Sequence, residues 1–399
     1  MSCGGSSVEV VWIGVNFIYE LIDATQQMNN TTLKPCVPYH ELYRDPSSHW
    51  ITITVFSFIY SVIFLFGLIG NGAVIILTAK HRSLQTVQNI FILNLCIADI
   101  ILIFLSVSLT PVTHIYKQWF FGAFLCRVVG GTQAVGMFIS SFSLCAIAVD
   151  RYFRLTTSPA RQLTRKGAVR VTYAFWLMSL FFTLPYIFHM RMKQYKHRNI
   201  CGSFCTEKWP TVTSKRIYTI AVLTIQCVLP FTVILICYRA LFAFLRKRAM
   251  TRMKTIAHQT IVLAATAGTE NSHQLSHLVD QKRRVLSQKR RATILLVLVT
   301  SIFAFTTLPH NVISLLTEFD NDWGLMILAD GTDVSYLLNL FSHSLAMISV
   351  VTNPILYAFL NPEFRELVLN WLQLLIPLRR GAAPPTQLSS LFTWRTAEC

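Results

Sequence analysis

A charged triplet closes one of the apolar stretches of this chain. The run over residues 140–155 ends in Asp150, Arg151 and Tyr152. An acid beside a permanently charged guanidinium, where a hydrophobic segment leaves a bilayer, can form a charge pair that resists or accepts an intracellular partner. That is the chemistry of a switch rather than of an active site. The alternative is a plain interfacial anchor, with the arginine reaching water and the tyrosine lying among the headgroups.

Other polar side chains lie inside apolar stretches, where charge is costly. A carboxylate at mid-membrane is unfavourable unless it is paired or hydrated, so Asp99 is a functional candidate. Ser140, Ser349 and Asn353 could complete an oxygen-lined pocket for a cation such as sodium, which would act as an allosteric ion. The alternative is a hydrogen-bonded node that packs helices together. Apart from this ion, we expect no cofactor.

The scaffold that positions these residues must be a membrane protein. The chain has 399 residues, of which 53% are hydrophobic and 13% charged, and this is too apolar for a soluble globular protein. The net charge of +17 comes from basic clusters beside apolar spans, so membrane topology explains it better than a nucleic-acid partner. We find no GxSxG motif, nucleotide-binding loop or intramembrane metal cluster, and we expect no enzyme.

Seven apolar segments are each long enough to cross a hydrocarbon core of about 30 Å. The joins after the first, third and fifth are rich in Lys and Arg, which places them in the cytoplasm and the N-terminus outside. The join after the fourth is also basic, which is inconsistent with this orientation. The predicted fold is an all-α seven-transmembrane helix bundle; the duplicated halves of a transporter, the alternative class, are absent. The segments cover 51–79, 88–114, 122–154, 169–189, 216–245, 290–317 and 333–360.

The flanking regions divide the chain further. Residues 1–49 form a predicted extracellular segment with overlapping glycosylation sequons at Asn29 and Asn30. The polar, basic loop over 249–288 is predicted to be cytoplasmic, and to be helical where it continues the neighbouring spans. After the seventh span, 362–375 has the spacing of a short amphipathic helix on the membrane surface, in contact with lipid. The remaining tail, 373–399, is predicted to be disordered and cytoplasmic.

Each span carries one polar or proline motif. In their order these motifs resemble the rhodopsin-like (class A) G-protein-coupled receptors, over about residues 50–372. The resemblance implies a plasma-membrane receptor that activates a heterotrimeric G protein, with arrestin and a receptor kinase as further partners at the tail. The motifs are Asn71, Asp99, Asp150-Arg151-Tyr152, Trp176, Pro230 with Tyr238, Pro309, and Asn353-Pro354 with Tyr357.

The resemblance also implies a disulfide. Cys126 matches the family's cysteine at the outer end of the third span, and its partner should lie in the loop over 190–215, where Cys201 and Cys205 compete. We favour Cys205, because the stretch 205–210 resembles the corresponding loop of neuropeptide Y-type receptors. Cys36 and Cys201 would then form a second bridge.

Two positions narrow the class of ligand. Gln133 precedes Arg151 by five helical turns, so the two lie on one face about 27 Å apart, one toward the outer cavity and one toward the cytoplasm. Aminergic receptors have an acid where this chain has Gln133, and opsins have the retinal-binding lysine where it has Met347. The resemblance therefore argues against an amine and against retinal.

Similarity to neuropeptide Y- and neuropeptide F-type receptors implies a peptide ligand. We expect a C-terminally amidated peptide ending in Arg-Phe-amide or Arg-Tyr-amide, with Glu318 binding the arginine and Gln133 the amide. Thr110, His343 and Tyr186 would line the cavity. The alternatives are helix-to-helix hydrogen bonding for Gln133 and His343 and a solvated rim for Glu318. Another peptide subgroup, such as a tachykinin-like one, is the competing ligand class.

The family resemblance also implies how binding would reach the G protein, which we expect to be inhibitory. Arg151 would leave Asp150 and meet the G protein, while Tyr238, Tyr357 and Asn353 rearrange. The chain departs from the family in three places: Thr307 replaces a tryptophan, Lys289 stands where some members have an acid that holds the arginine, and Pro159 lies one residue late. Without that acid, raised basal activity is expected.

Overall fold

The computed structural model describes residues 37–38, 46–158, 162–197, 200–266, 294, 297–319, 326–328 and 332–375. Within them, seven helices are long and apolar enough to cross a membrane, which confirms the predicted bundle. A shorter eighth helix follows, as predicted. The helices are α1 Trp50–Lys80, α2 Val87–Tyr116, α3 Gly122–Thr156, α4 Arg165–His189, α5 Val212–Arg248 (continuing to Thr266), α6 Val297–Phe319, α7 Ser335–Leu360 and α8 Pro362–Leu375.

Several predictions fall outside the described residues. These are the sequons at Asn29 and Asn30, the proline at 159, the lysine at 289, Cys36 of the second bridge, and the tail from residue 376. The chain division into 1–49, 50–372, 249–288 and 373–399 also stays a prediction.

Helices α2 and α3 are the most enclosed of the seven and α4 the least. A continuous apolar core joins α2, α3, α5, α6 and α7. Large apolar side chains such as Phe58, Phe181 and Phe305 are instead exposed on the outside of the bundle, where they form the kind of surface that contacts lipid. The core includes Phe91, Leu95, Leu144, Ile147, Tyr238, Leu241, Phe303 and Tyr357.

Two helices contain a π-helical turn, and both turns lie beside a proline. In α2 the turn spans Ile103–Val107, four residues before Pro111, and the Ser108 hydroxyl donates to the Ile103 carbonyl at 3.0 Å. In α5 it spans Thr224–Val228, just before Pro230. A π-turn adds one residue to a helical turn, so it shifts which side chains face the bundle interior.

A β-hairpin lies across one end of the bundle, a feature that the all-α prediction did not include. Strands β2 (Met190–His197) and β3 (Ile200–Glu207) pair antiparallel, and β1 (Val37–Pro38) pairs with β3. Cys126 at the start of α3 is bonded to Cys205 of β3, with 5.5 Å between their Cα atoms, so the choice of Cys205 is confirmed. The Trp119 backbone N–H also donates to the Ser203 carbonyl. We call this end the outer end, and the end that carries Asp150 the inner end.

Helix α8 folds back against the inner end. The Asn361 side chain caps it by accepting from the backbone N–H groups of Glu363 and Phe364. Phe364 packs on the ring of Tyr357, with 4.5 Å between ring centroids. The apolar face of α8 is thus anchored to α7.

Candidate functional site

Ser106 is the centre of a polar cluster at the outer end. It lies in the π-turn of α2 and is fully buried. Its hydroxyl donates to Gln133 Oε1 of α3 at 3.2 Å and lies 2.9 Å from His343 Nε2 of α7. The other ring nitrogen of His343 is 2.7 Å from the Tyr60 hydroxyl of α1. Three helices therefore meet at one serine, and His343 links them to a fourth, α1.

Gln133 extends the cluster to α6. Its Nε2 donates to His310 Nε2 at 3.0 Å, and His310 Nδ1 lies 3.4 Å from the Ser342 hydroxyl of α7. The Ser342 hydroxyl in turn donates to the Asn339 carbonyl. Because an amide nitrogen can only donate, His310 must accept at Nε2 and carry its proton on Nδ1.

The hydrogen bonds of this cluster are all donated in the same direction along the series. Because the Ser106 proton goes to Gln133, His343 must donate from Nε2. The Tyr60 hydroxyl lies 2.7 Å from His343 Nδ1 and 3.3 Å from the Leu340 carbonyl, and with a neutral imidazole it donates to Nδ1. Each group then gives one proton to the next. Such chains polarise their members and strengthen each bond. We call this series the outer donor chain; its order is Tyr60, His343, Ser106, Gln133, His310, Ser342.

The predicted cavity residues differ in their access to the outer end. Gln133, Thr110 and Tyr186 are half-buried, whereas His343 is only 2% exposed and lies behind Ser106. Thr110 approaches the cluster only at 3.5 Å from Ser106. The helix-to-helix bonding weighed for Gln133 and His343 is thus present. A ligand that bound Gln133 could use the second N–H and the second lone pair of the amide, or exchange one of these two bonds.

Glu318 is not on a solvated rim. It is 6% exposed, and its Oε2 lies 2.8 Å from the Nζ of Lys215 at the start of α5. The same Nζ is 3.9 Å from Oε2 of Glu207, the last residue of β3. Glu207 Oε2 accepts from the Trp209 indole N–H at 2.7 Å. The predicted arginine-binding acid is therefore buried and paired within the protein.

Asp99 lies deeper in the bundle and fits a small cation. Its Oδ2 accepts from Asn353 Nδ2 at 2.9 Å, while Oδ1 is buried without a hydrogen-bond partner in the described part of the chain. Ser140 is buried, and the Ser349 hydroxyl donates to the Ala346 carbonyl. A buried carboxylate oxygen without a donor suits a hard cation such as sodium. No cluster of three His, Cys, Asp or Glu capable of holding a metal occurs among these residues.

The inner end differs from the expected arrangement. Asp150 is paired with Arg154, with 2.7 Å between Oδ2 and Nε, rather than with Arg151. The Nε of Arg151 is buried with no hydrogen-bond partner among the residues that the structure describes. Residues four apart share one helix face, whereas adjacent ones point about 100° apart, which explains the choice of partner. Tyr152 packs edge-on against Phe153.

The other predicted switch residues make hydrogen bonds within the bundle. The Tyr238 hydroxyl is 3.4 Å from the Thr300 hydroxyl of α6, and the Tyr357 hydroxyl accepts from Asn361 at 3.2 Å. Thr307, which replaces the family's tryptophan, is buried and donates to the Phe303 carbonyl of its own helix. Thr307 therefore provides no aromatic ring that could link the outer donor chain to Phe303.

Sequence reasoning missed several members of these sites. Ser106 and Tyr60 gave no signal, since their partners are on other helices. His310 directly follows the motif residue Pro309, and that position could have identified it. Arg154 could also have been identified from the sequence, because an acid and a base four residues apart on a helix commonly pair.

This geometry is that of a membrane receptor bundle, and the comparisons with known proteins agree. The family model of the 7 transmembrane receptor (rhodopsin family) matches residues 70–357. The chain belongs to this family, which is one of receptors and not of enzymes. It is a multi-pass membrane protein, as predicted.

Its relatives include several neuropeptide receptors. Neuropeptide receptor npr-1 of Caenorhabditis elegans is 42% identical over 346 residues, covering 84% of this chain and 76% of the relative. The putative neuropeptide Y receptor 11 of the same organism is 30% identical over 323 residues, covering 77% and 72%. Galanin receptor type 1 of Mus musculus is 28% identical over 323 residues, covering 80% of each. The resemblance to neuropeptide Y- and F-type receptors is thereby confirmed.

Proposed function

We propose that this chain is a plasma-membrane receptor, with its N-terminus outside, for an amidated peptide ending in Arg-Phe-amide or Arg-Tyr-amide. It signals through a heterotrimeric G protein of the inhibitory class. Two kinds of observation support the proposal. The relatives are neuropeptide receptors, and the outer end holds a buried acid and a half-buried amide that suit the two ends of such a dipeptide.

The observation that carries the proposal is Glu318. A buried carboxylate at the mouth of a membrane bundle needs a cation, and in this structure its partner is the ammonium of Lys215. An ammonium is a point charge, whereas a guanidinium can bind both carboxylate oxygens in parallel. A ligand arginine can therefore make a stronger bond to Glu318 than the lysine does.

Gln133 would receive the terminal amide of the peptide. Its side chain both donates and accepts, and it now uses these functions on His310 and Ser106. Exchange of the His310 bond alters the link between α3 and α6 directly, and exchange of the Ser106 bond alters the link between α3 and α2. Because His310 follows Pro309, where α6 lacks one backbone hydrogen bond, exchange of the His310 bond acts at the point where the helix bends most easily. Thr110 and Tyr186 would line the route.

At the inner end, Arg151 would bind the G protein, as the family resemblance implies. Its Nε has no partner to give up, so engagement needs no buried ion pair to break. Tyr238, Tyr357 and Asn353 would change partners as α6 moves, in a two-state equilibrium that ligand and G protein bias from opposite ends. Sodium at Asp99 would favour the unliganded state. Arrestin and a receptor kinase would act on the tail.

G-protein activation in cells that express the chain tests this function. The panel holds synthetic peptides ending in Arg-Phe-amide and Arg-Tyr-amide, their citrulline and free-acid versions, galanin and a tachykinin. We expect the two arginine amides to activate at the lowest concentrations. Glu318→Gln should weaken them by at least about 1.5 kcal/mol, whereas Glu366→Gln on α8 should not. Activation that needs neither the arginine nor Glu318 would overturn the proposal.

A further inference from the structure

Lys215 stands between two carboxylates that belong to different parts of the outer end. Its Nζ is 2.8 Å from Glu318 of α6 and 3.9 Å from Glu207 of β3. One ammonium thus links α5, the hairpin and α6. The Lys215 side chain is a quarter exposed, so it retains contact with water and room to move.

Glu207 is held in place for a second role. Its Oε2 accepts from the Trp209 indole N–H, and the Trp209 ring stacks on His189 with 3.9 Å between centroids and 4° between planes. The Glu207 side chain is about a quarter exposed, at 27%. It is therefore a fixed and accessible anion that one lysine rotamer change would reach.

We propose that Lys215 is a specificity-determining residue of the ligand site. It neutralises Glu318 while the site is empty and transfers to Glu207 when a ligand cation binds Glu318. This inference rests on the proposed function of Glu318 as the acceptor of a ligand arginine. No buried charge is left unpaired at either stage, which removes the cost of an isolated buried carboxylate.

A ligand cation must compete with the Lys215 ammonium for Glu318. A lysine side chain in the peptide replaces one ammonium by another and gains little. A guanidinium gains a second parallel hydrogen bond to the carboxylate. The receptor should consequently prefer arginine to lysine by the difference between these two bonds, while the resident lysine lowers the affinity of every cationic peptide relative to a neutral one and so sets how far the site selects for a cation.

Peptide binding to intact receptor in membranes tests the exchange. The probes are one synthetic peptide ending in Arg-Phe-amide and its versions with lysine or citrulline in place of arginine. The variants are Lys215→Gln, Lys215→Met, Glu207→Gln and Glu318→Gln, with Lys208→Gln as the matched control on an exposed lysine of the same loop. Surface expression and thermal midpoint are recorded for each variant.

We expect Lys215→Gln and Lys215→Met to tighten both the arginine and the lysine peptide about tenfold relative to the citrulline peptide, because neither cation has to displace an ammonium from Glu318. Glu207→Gln should weaken the arginine peptide roughly fivefold, because the displaced ammonium then has no anionic partner. Lys208→Gln should change neither.

If Glu318→Gln weakens the arginine peptide but the Lys215 variants leave the ratio of arginine-peptide to citrulline-peptide affinity unchanged, this inference is wrong and the proposed function stands. The same holds if Glu207→Gln binds like the wild type. If Glu318→Gln has no effect on the arginine peptide, both the inference and the proposed function are overturned.

Discussion

The outer and inner ends of this bundle are held together by different means. At the outer end, six side chains from α1, α2, α3, α6 and α7 form the outer donor chain, in which every donor has an acceptor. At the inner end, Arg151 is half-buried and its buried Nε has no hydrogen-bond partner among the described residues, while Asp150 is bound to Arg154 on the same helix. The inner ends of the helices are joined mainly by apolar packing.

This difference indicates why the two ends respond differently to a binding partner. Hydrogen bonds are directional, so a ligand that exchanges one of them at Gln133 changes specific helix-to-helix links. Apolar contacts have no such direction, and the inner end can separate without breaking a polar bond between helices at Arg151. We therefore expect stability to depend more on the outer end, and basal signalling more on the inner end.

Breaking the outer donor chain at its centre should have the largest effect. Ser106→Ala removes only the hydroxyl group and leaves the His343 N–H and Gln133 Oε1 without their partner. Burial of these unsatisfied groups should cost about 1–3 kcal/mol, seen as a lower thermal midpoint of the purified receptor. Ser108→Ala is the control, since Ser108 bonds only its own helix among the described contacts. Equal midpoints for the two variants would show that the chain does not hold the outer end.

Changing the acid's partner at the inner end should have a moderate effect. Arg154→Gln removes the ion pair and leaves Asp150 free to bind Arg151. Basal nucleotide exchange should then fall by roughly twofold to tenfold, about 0.4–1.4 kcal/mol, while agonist affinity changes little. Arg165→Gln at the start of α4 is the control. Basal exchange that is unchanged or higher in Arg154→Gln, or wild-type exchange no higher than in mock membranes, would contradict this account of the inner end.

The smallest effect should come from the site between the two ends. Sodium at Asp99 should lower agonist affinity severalfold relative to potassium at equal ionic strength, by roughly 1 kcal/mol, a typical coupling between two sites. Asp99→Asn should abolish the difference, because the unpaired carboxylate oxygen is lost. Agonist binding measured in both salts checks this. A sodium effect that survives in Asp99→Asn would place the ion elsewhere.

How much of the molecule the sequence could predict follows from where each signal lies. Hydropathy and charge are local properties, so all seven spans were found, together with α8. The hairpin was missed because its strands are polar and short of turn signals. Ser106 was missed because nothing in the neighbouring sequence indicates its partners on α3 and α7.

Pairs that join distant segments were harder still. Nothing local to Lys215 indicates Glu318, about one hundred residues away, or explains why that acid is buried rather than solvated. The Cys126–Cys205 bond was predicted only because the flanking sequence resembles a known loop. Arg154 is the opposite case, since the spacing from Asp150 was visible and its consequence was not drawn.

The most direct test of the central claim is a double-mutant cycle between receptor and peptide. The dissociation constants of an Arg-Phe-amide peptide and its citrulline version are measured on the wild type and on Glu318→Gln. The account predicts a coupling energy of at least about 1.5 kcal/mol. Either change alone already removes the charged bond between Glu318 and the ligand arginine, so the second change removes nothing more. Effects that simply add, within about 0.5 kcal/mol, would show that Glu318 does not bind the ligand arginine.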